Sequence, residues 1–187
     1  MLLAHLETEP SAWVRRFAGL VRPGGTALDV ACGSGRHVRW LAARGLKVTG
    51  VDRNAEAVAP LRAVAEIVVA DIEGGPWPLP GRRFDAVVVT NYLWRPLWPE
   101  LRAALAPGGV LLYETFAHGQ QLIGKPQRPE FLLQPGELLQ ACAGLRVVAF
   151  EDGFDATPAR YVQRIAAVAE APGTAEPPRY GLQGAGS

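Results

Sequence analysis

The chain has 187 residues, 49% of them hydrophobic and 20% charged, a balance that fits one well-cored domain and excludes a disordered chain. With 19 Lys and Arg against 18 Asp and Glu the formal charge is +1, so the whole-chain basic footprint of a protein built to hold nucleic acid is missing. Two distant cysteines, Cys32 and Cys142, argue against a disulfide scaffold or a zinc knuckle, and no stretch approaches the roughly 20 apolar residues that span a bilayer.

In chain order, SAWVRRFAGLV (residues 11–21) sets Trp13, Phe17 and Leu20 at helical spacing behind a capping Ser11. Pro23-Gly24-Gly25 stops the pattern. Strand-like runs follow at residues 27–31, 47–51, 66–70, 84–90 and 110–113, separated by helical stretches at 36–44, 55–64 and 97–106. The strands are near-continuous Val, Leu, Ile and Ala instead of alternating, as expected where helices cover both faces of a sheet. This βαβα rhythm predicts a parallel, doubly wound sheet. A Gly- and Pro-punctuated segment from Phe116 leads to a short helix opening near Pro135, then to two further strand candidates, LRVVAFEDG and RYVQRIAAVAE. The domain is expected to occupy residues 1–170, with 171–187, rich in Pro, Gly and Ala, as a disordered or loosely attached tail.

The stretch TALDVACGSGRH places Asp29, Ala31, Gly33 and Gly35 where the first strand gives way to the first helix, the edge at which open α/β sheets bind ligands. Its glycines let the backbone turn sharply and let a ligand approach the amides. A dinucleotide fingerprint wants a third small residue where Val38 stands, and a P-loop wants Gly-Lys-Ser/Thr where Gly35 is followed by Arg36-His37. An acid-bearing loop with few anion-binding features suits a nucleoside-like ligand with a zwitterionic tail.

Five landmarks in order over residues 26–116 resemble the class I S-adenosylmethionine-dependent methyltransferases: LDVACGSGRH, VTGVDRN, VVADIEGGPWPL, FDAVVVTNYLW and LAPGGVLLYETF. The resemblance implies an α/β, doubly wound, Rossmann-like and mostly parallel seven-stranded sheet with an antiparallel last strand, in a single domain. It implies S-adenosylmethionine as cofactor, held by Asp29, Ala31 (in place of the usual first glycine), Gly33, Gly35 and Arg36 in the first loop. Asp52, with Arg53 beside it, would accept from the ribose hydroxyls, Asp71 and the amide of Ile72 would meet the adenine, and Asn91 would close the set. Turn or cap roles remain open for Asp71, as does a place on the first helix for His37. Cys32 reads as a small buried filler, since no partner base is evident.

Methyl transfer from a sulfonium is an in-line displacement that asks mainly for alignment and exclusion of water. Candidate substrate residues follow strands four and five. Tyr92 and Trp94 would face a cation, Arg95 would clamp an acid, and Glu114 and His118 would serve as base or substrate contact. Trp94 and Trp98 fit a core-facing helix stripe equally well. No Pro-Pro-aromatic run follows Asn91, which argues against a flipped base as target, and no acid–histidine cluster has metal-ligand spacing, so no metal is expected. Over residues 25–170 the chain also resembles small bacterial methyltransferases of the tellurite-resistance type, which implies a small nucleophilic acceptor. The alternatives are an RNA or protein acceptor at the basic patches around Arg15, Arg36, Arg39 and Lys125, or an inactive cofactor-binding protein. A cytoplasmic setting without membrane partners is expected, because MLLAHLETEP carries acids and a proline where a signal peptide has a basic flank and a longer apolar run.

Overall fold

The computed structural model describes residues 9–173 and 178–182. Helix α1 (Ala12–Phe17) starts at Ser11, whose side-chain oxygen accepts from the backbone N–H groups of Trp13 and Val14. It tightens into a 3₁₀ turn at Ala18–Leu20, so the helix expected over 11–21 is one short α-helix and a turn.

Seven strands follow: β1 (Thr26–Val30), β2 (Lys47–Asp52), β3 (Glu66–Val69), β4 (Phe84–Thr90), β5 (Leu105–Phe116), β6 (Arg146–Ala156) and β7 (Ala159–Val168). They form one sheet in the order β3-β2-β1-β4-β5-β7-β6. Strands β1 to β5 run parallel, and β7 is antiparallel to both of its neighbours. The doubly wound sheet with its last strand reversed is therefore present as the sequence predicts.

Each central strand feeds two cores. Leu28, Val30, Val87, Val89 and Leu111 pack on one face with Leu101 of α4 (Trp98–Ala103) and Leu138 of α5 (Glu137–Ala141). Ala27, Val48, Ala86, Val88 and Leu112 pack on the other with Trp13, Phe17 and Leu41, the last from α2 (Arg36–Ala43). Burial on both faces is why apolar residues run on without alternation. Asp29 alternates with Leu28 and Val30 and so falls on the α1–α2 side, where it is 1% exposed.

Two helices are shorter than their patterns. The segment expected to be helical over 55–64 is α3 (Ala55–Val58) followed by a 3₁₀ stretch, Ala59–Ala63, because Pro60 brings no amide N–H to continue an α ladder. The helix expected over 97–106 stops at Ala103, because Leu105 already pairs with Phe84 and begins β5. Of the expected loose tail, residues 174–177 and 183–187 lie outside the described residues. Within the described part, the Leu182 carbonyl accepts from Arg16 Nε at 3.1 Å and Tyr180 packs against the α1-side core.

Candidate active site

Strand order reverses between β1 and β4, which opens a crevice beyond their carboxyl ends. Three cavities lie along that edge and share walls. The first, about 260 Å³, is lined by Asp29, Ala31, Gly33, Arg36, His37 and Asn91, among others. The second, about 220 Å³, includes Ala31, Asp52, Arg53, Asp71, Ile72 and Tyr92 in its lining. A third, larger chamber of about 650 Å³ adjoins them through Glu73, Asn91 and Tyr92. Nine of the ten residues expected at the cofactor thus line two cavities that meet at Ala31.

The exits of β1 and β4 both carry unusual backbone. Ala31 sits at φ +52° and Asn91 at φ +53°, left-handed conformations that side-chain-bearing residues seldom adopt. A Cβ built on Gly33 would meet no protein atom within 4 Å, so its amide face opens onto cavity space. Gly35, the tenth expected residue, does a different job: a Cβ there would fall 2.4 Å from the Leu61 side chain, so this glycine lets α2 pack on the α3 segment.

Three carboxylates converge here with different chemistry. Asp52 accepts from Gly33 N–H and from Asn54 N–H, each at 2.8 Å, which fixes its carboxylate at the tip of β2. Asp71 accepts through one oxygen from the N–H groups of Glu73 and Gly74, and those bonds hold it below the usual carboxylate range. The turn role and the cavity position expected as alternatives for Asp71 therefore coexist. Asp29 has one carboxylate oxygen, Oδ2, that is buried and without a hydrogen-bond partner. Burial pushes its pKa up to about 7, against the opposing pull of Arg36 and with added repulsion from Asp52.

His37 is the site residue that the sequence reading left on the helix entry. It is 2% exposed, its Nε2 accepts from Ser11 N–H at 3.0 Å, and its Nδ1 lies 3.5 Å from Thr90 Oγ1 and 4.0 Å from Asp29 Oδ2. Burial and then the charge of Arg36 lower its pKa to about 3, so it is neutral. Cys32 lines the same cavity as a buried thiol whose pKa is raised by burial, consistent with a filler.

The substrate-side expectations divide. Tyr92 lines both the second cavity and the chamber, with its hydroxyl buried and without a partner; burial and then the Glu73 charge keep that hydroxyl protonated. Arg95 does not reach the chamber as a clamp. Its guanidinium forks onto Glu137 at 2.6 and 2.9 Å and donates to the carbonyls of Glu130 and Leu132, tying β4's exit to the approach of α5. His118 is exposed and lines none of these cavities, because the bridge between Ala117 and Leu133 turns the chain away after β5. Glu114 is buried on the opposite face, where it pairs with Arg164 at 2.6 Å and Arg160 at 3.5 Å. Trp94 precedes the helix in an extended conformation, so it and Trp98 pack on the core without forming one helix stripe.

In place of Arg95 and His118 the chamber is lined by Glu73, Thr115, Phe116, Lys125, Arg128 and Phe131. The signal for the last three is the long interrupted segment after β5, but which of its residues turn inward is set by Arg95 and by the Ala117–Leu133 bridge. Among the described residues, no group of three or more His, Cys, Asp or Glu could hold a metal ion, and no helix is long and apolar enough to cross a membrane.

Residues 27–109 match the family model of a methyltransferase domain. No curated protein sequence matches the chain. Among solved structures, TehB from Haemophilus influenzae is 19% identical with a TM-score of 0.63, over 81% of this chain. The match spans 58% of the length of that TehB chain. A TehB-like methyltransferase from Corynebacterium glutamicum is 19% identical, TM-score 0.63, over 89% of this chain and 91% of its own. A methyltransferase from Methanosarcina mazei is 19% identical, TM-score 0.65, over 87% and 99%.

The residues present fit S-adenosylmethionine. The unpartnered Asp29 oxygen suits an ammonium, the open face of Gly33 leaves room where a Cβ would stand, and Asp52 keeps lone pairs for paired hydroxyls. Residues 27–109 thus carry the signature of a methyltransferase domain, and the fold of the chain resembles that of TehB.

Proposed function

We propose that the enzyme transfers a methyl group in line to a small-molecule nucleophile seated in the 650 Å³ chamber. The observation that carries this reading is the shared wall: Asn91 and Tyr92, at the exit of β4, each line a cofactor cavity and the chamber at once. When bound, S-adenosylmethionine supplies a methyl carbon made electrophilic by its sulfonium. Asp52 accepts from the ribose hydroxyls while the amides of Gly33 and Asn54 hold it in place. Asp29 accepts from the ammonium, with His37 and Thr90 bounding the same cavity. Asn91, fixed in its left-handed conformation, and Tyr92 set where the acceptor meets the cofactor. Leu93, Phe116 and Phe131 keep water from the chamber wall. Alignment of this kind supplies on the order of 7–11 kcal/mol without a strong acid or base.

A small acceptor is favoured over RNA because only two cations, Lys125 and Arg128, line the chamber and the second is paired with Glu130, where a polynucleotide would need a basic groove. Two free, buried thiols support the cytoplasmic setting, and no nucleic-acid or membrane partner is proposed. The test is calorimetry with S-adenosylhomocysteine and with NAD, followed by an assay of S-adenosylhomocysteine release across acceptors. Binding of the former and not the latter is expected. Tight NAD binding with no response to S-adenosylhomocysteine overturns the proposal.

A further inference from the structure

The methyl acceptor's chemistry is written in the chamber, and we infer that it is a flat, carboxylate-bearing organic molecule whose nucleophile sits beside Glu73 and Tyr92 and whose acid meets Lys125. This inference rests on the methyl-transfer reading above. The size of the space comes first. At about 650 Å³ the chamber lies in the range of roughly 300–1,000 Å³ that encloses organic ligands. An inorganic oxyanion of four atoms fills only a few times the roughly 30 Å³ share of one water, so it would be left without walls.

Polar and apolar side chains share the chamber lining. Glu73, Asn91 and Tyr92 belong also to the cofactor cavities and mark the end where the methyl carbon arrives. Leu93, Phe116, Pro126 and Phe131 supply apolar walls suited to a ring. Two cations stand in the segment that covers the chamber, and they are not equivalent. Arg128 is committed to Glu130 and lies over the Phe131 ring, 5.1 Å from its centroid. Lys125 has no ion pair among the described residues and is exposed at the chamber edge. An acid on the acceptor completes that charge, while the Tyr92 hydroxyl and the Glu73 carboxylate beside it suit a protonated hydroxyl, thiol or amine.

The step balances with bound S-adenosylmethionine as the methyl donor. The acceptor's heteroatom forms a bond to the methyl carbon as the carbon–sulfur bond breaks, the electron pair leaves with sulfur, and the acceptor's proton passes to the Glu73 carboxylate.

The experiment titrates S-adenosylhomocysteine-loaded protein by calorimetry with 4-hydroxycinnamate, 4-mercaptobenzoate and 4-aminobenzoate, and with their methyl esters. S-adenosylhomocysteine release is then measured with each compound and with selenite and tellurite. At least one acid is expected to bind and be methylated, with its ester at least tenfold weaker. Lys125→Glu should weaken that acid at least tenfold while leaving the ester and S-adenosylhomocysteine unchanged. If S-adenosylhomocysteine binds but no acid does, if acid and ester bind alike, if Lys125→Glu has no effect, or if only the oxyanions are methylated, this inference is overturned and the methyl-transfer reading stands. If S-adenosylhomocysteine itself does not bind, both fall.

Discussion

Ser11 donates its backbone N–H to Nε2 of His37 at 3.0 Å, and that bond decides which nitrogen of the ring carries the proton. With Nε2 accepting, the neutral imidazole bears its hydrogen on Nδ1, turned toward Thr90 Oγ1 and Asp29 Oδ2. The first turn of α1 is thereby tied to the cofactor loop. It also sets up a titration that can be read in stability.

Unfolded, Asp29 and His37 titrate near 3.8 and 6.5; folded, near 7 and 3. From about pH 4 to 6.5 each state holds one proton on this pair, on Asp29 when folded and on His37 when unfolded, so the pair adds no slope to stability. Asp29→Asn leaves His37 alone. Its folded pKa is depressed, so the unfolded chain takes up a proton below 6.5 and the folded chain does not, and stability falls as pH falls. A loss of about 1.4 kcal/mol per pH unit is expected in the variant across that window, on top of the wild-type profile. Urea unfolding at a series of pH values checks this, and parallel profiles would contradict it.

Cofactor affinity carries the complementary signature. Asp29 accepts from an ammonium only when ionised, so S-adenosylhomocysteine affinity should fall about tenfold per unit below pH 7 and level off above it. Calorimetry between pH 5.5 and 8.5 would show the break, and Asp29→Asn should abolish it. A flat wild-type curve would remove Asp29 from the ammonium contact.

Neighbouring glycines should separate binding from folding. Gly33→Ala strains a residue at φ +53° but meets no protein atom, so about 1 kcal/mol of stability is lost while cofactor binding fails. Gly35→Ala adds a collision with the fully buried Leu61 to its strain at φ +79° and should cost about 2–4 kcal/mol. Paired denaturation and calorimetry check the contrast.

Ala31 is predicted to be replaceable with profit. Its left-handed backbone costs about 1–2 kcal/mol, of which glycine returns all but an entropic share near 0.5–1 kcal/mol, so Ala31→Gly should stabilise by up to about 1 kcal/mol. A lower urea midpoint in the variant would show that the Ala31 methyl packs better than its position suggests.

Arg95 should behave as a tether. Its side chain is 34% exposed and that of Glu137 13%, so Arg95→Ala is expected to cost about 2–3 kcal/mol, less than a fully buried pair would. Acceptor KM should rise with S-adenosylhomocysteine affinity unchanged, and Arg95→Lys should not rescue, because lysine lacks the fork that spans Glu137 and the Leu132 carbonyl. Equal loss of cofactor binding would place Arg95 elsewhere.

The half of the site proposed to hold the cofactor was legible because it is local in sequence. Asp29, Ala31, Gly33 and Gly35 lie along one strand-to-helix passage, Asp52 ends its strand, and Asp71 and Asn91 fall within two residues of the end of theirs, where each carboxyl end must lie beside its parallel neighbour. Strand type and order of motifs therefore placed those residues at one edge before any coordinate was known. The acceptor half depends on contacts between residues far apart in the chain. Whether Arg95 faces a substrate or Glu137 lies outside any local pattern, since both roles ask for the same residue in the same short segment. Glu114 and Thr115 are adjacent and face opposite sides of β5, so a one-residue difference separates a buried ion pair with Arg164 from the chamber wall. His37 reads as an ordinary first-turn helix residue until Ser11, 26 positions earlier, brings its amide to the ring. Periodicity fixed the sheet and its edge, while the packing of α1 and of the segment after β5 against that edge decided which side chains look into it.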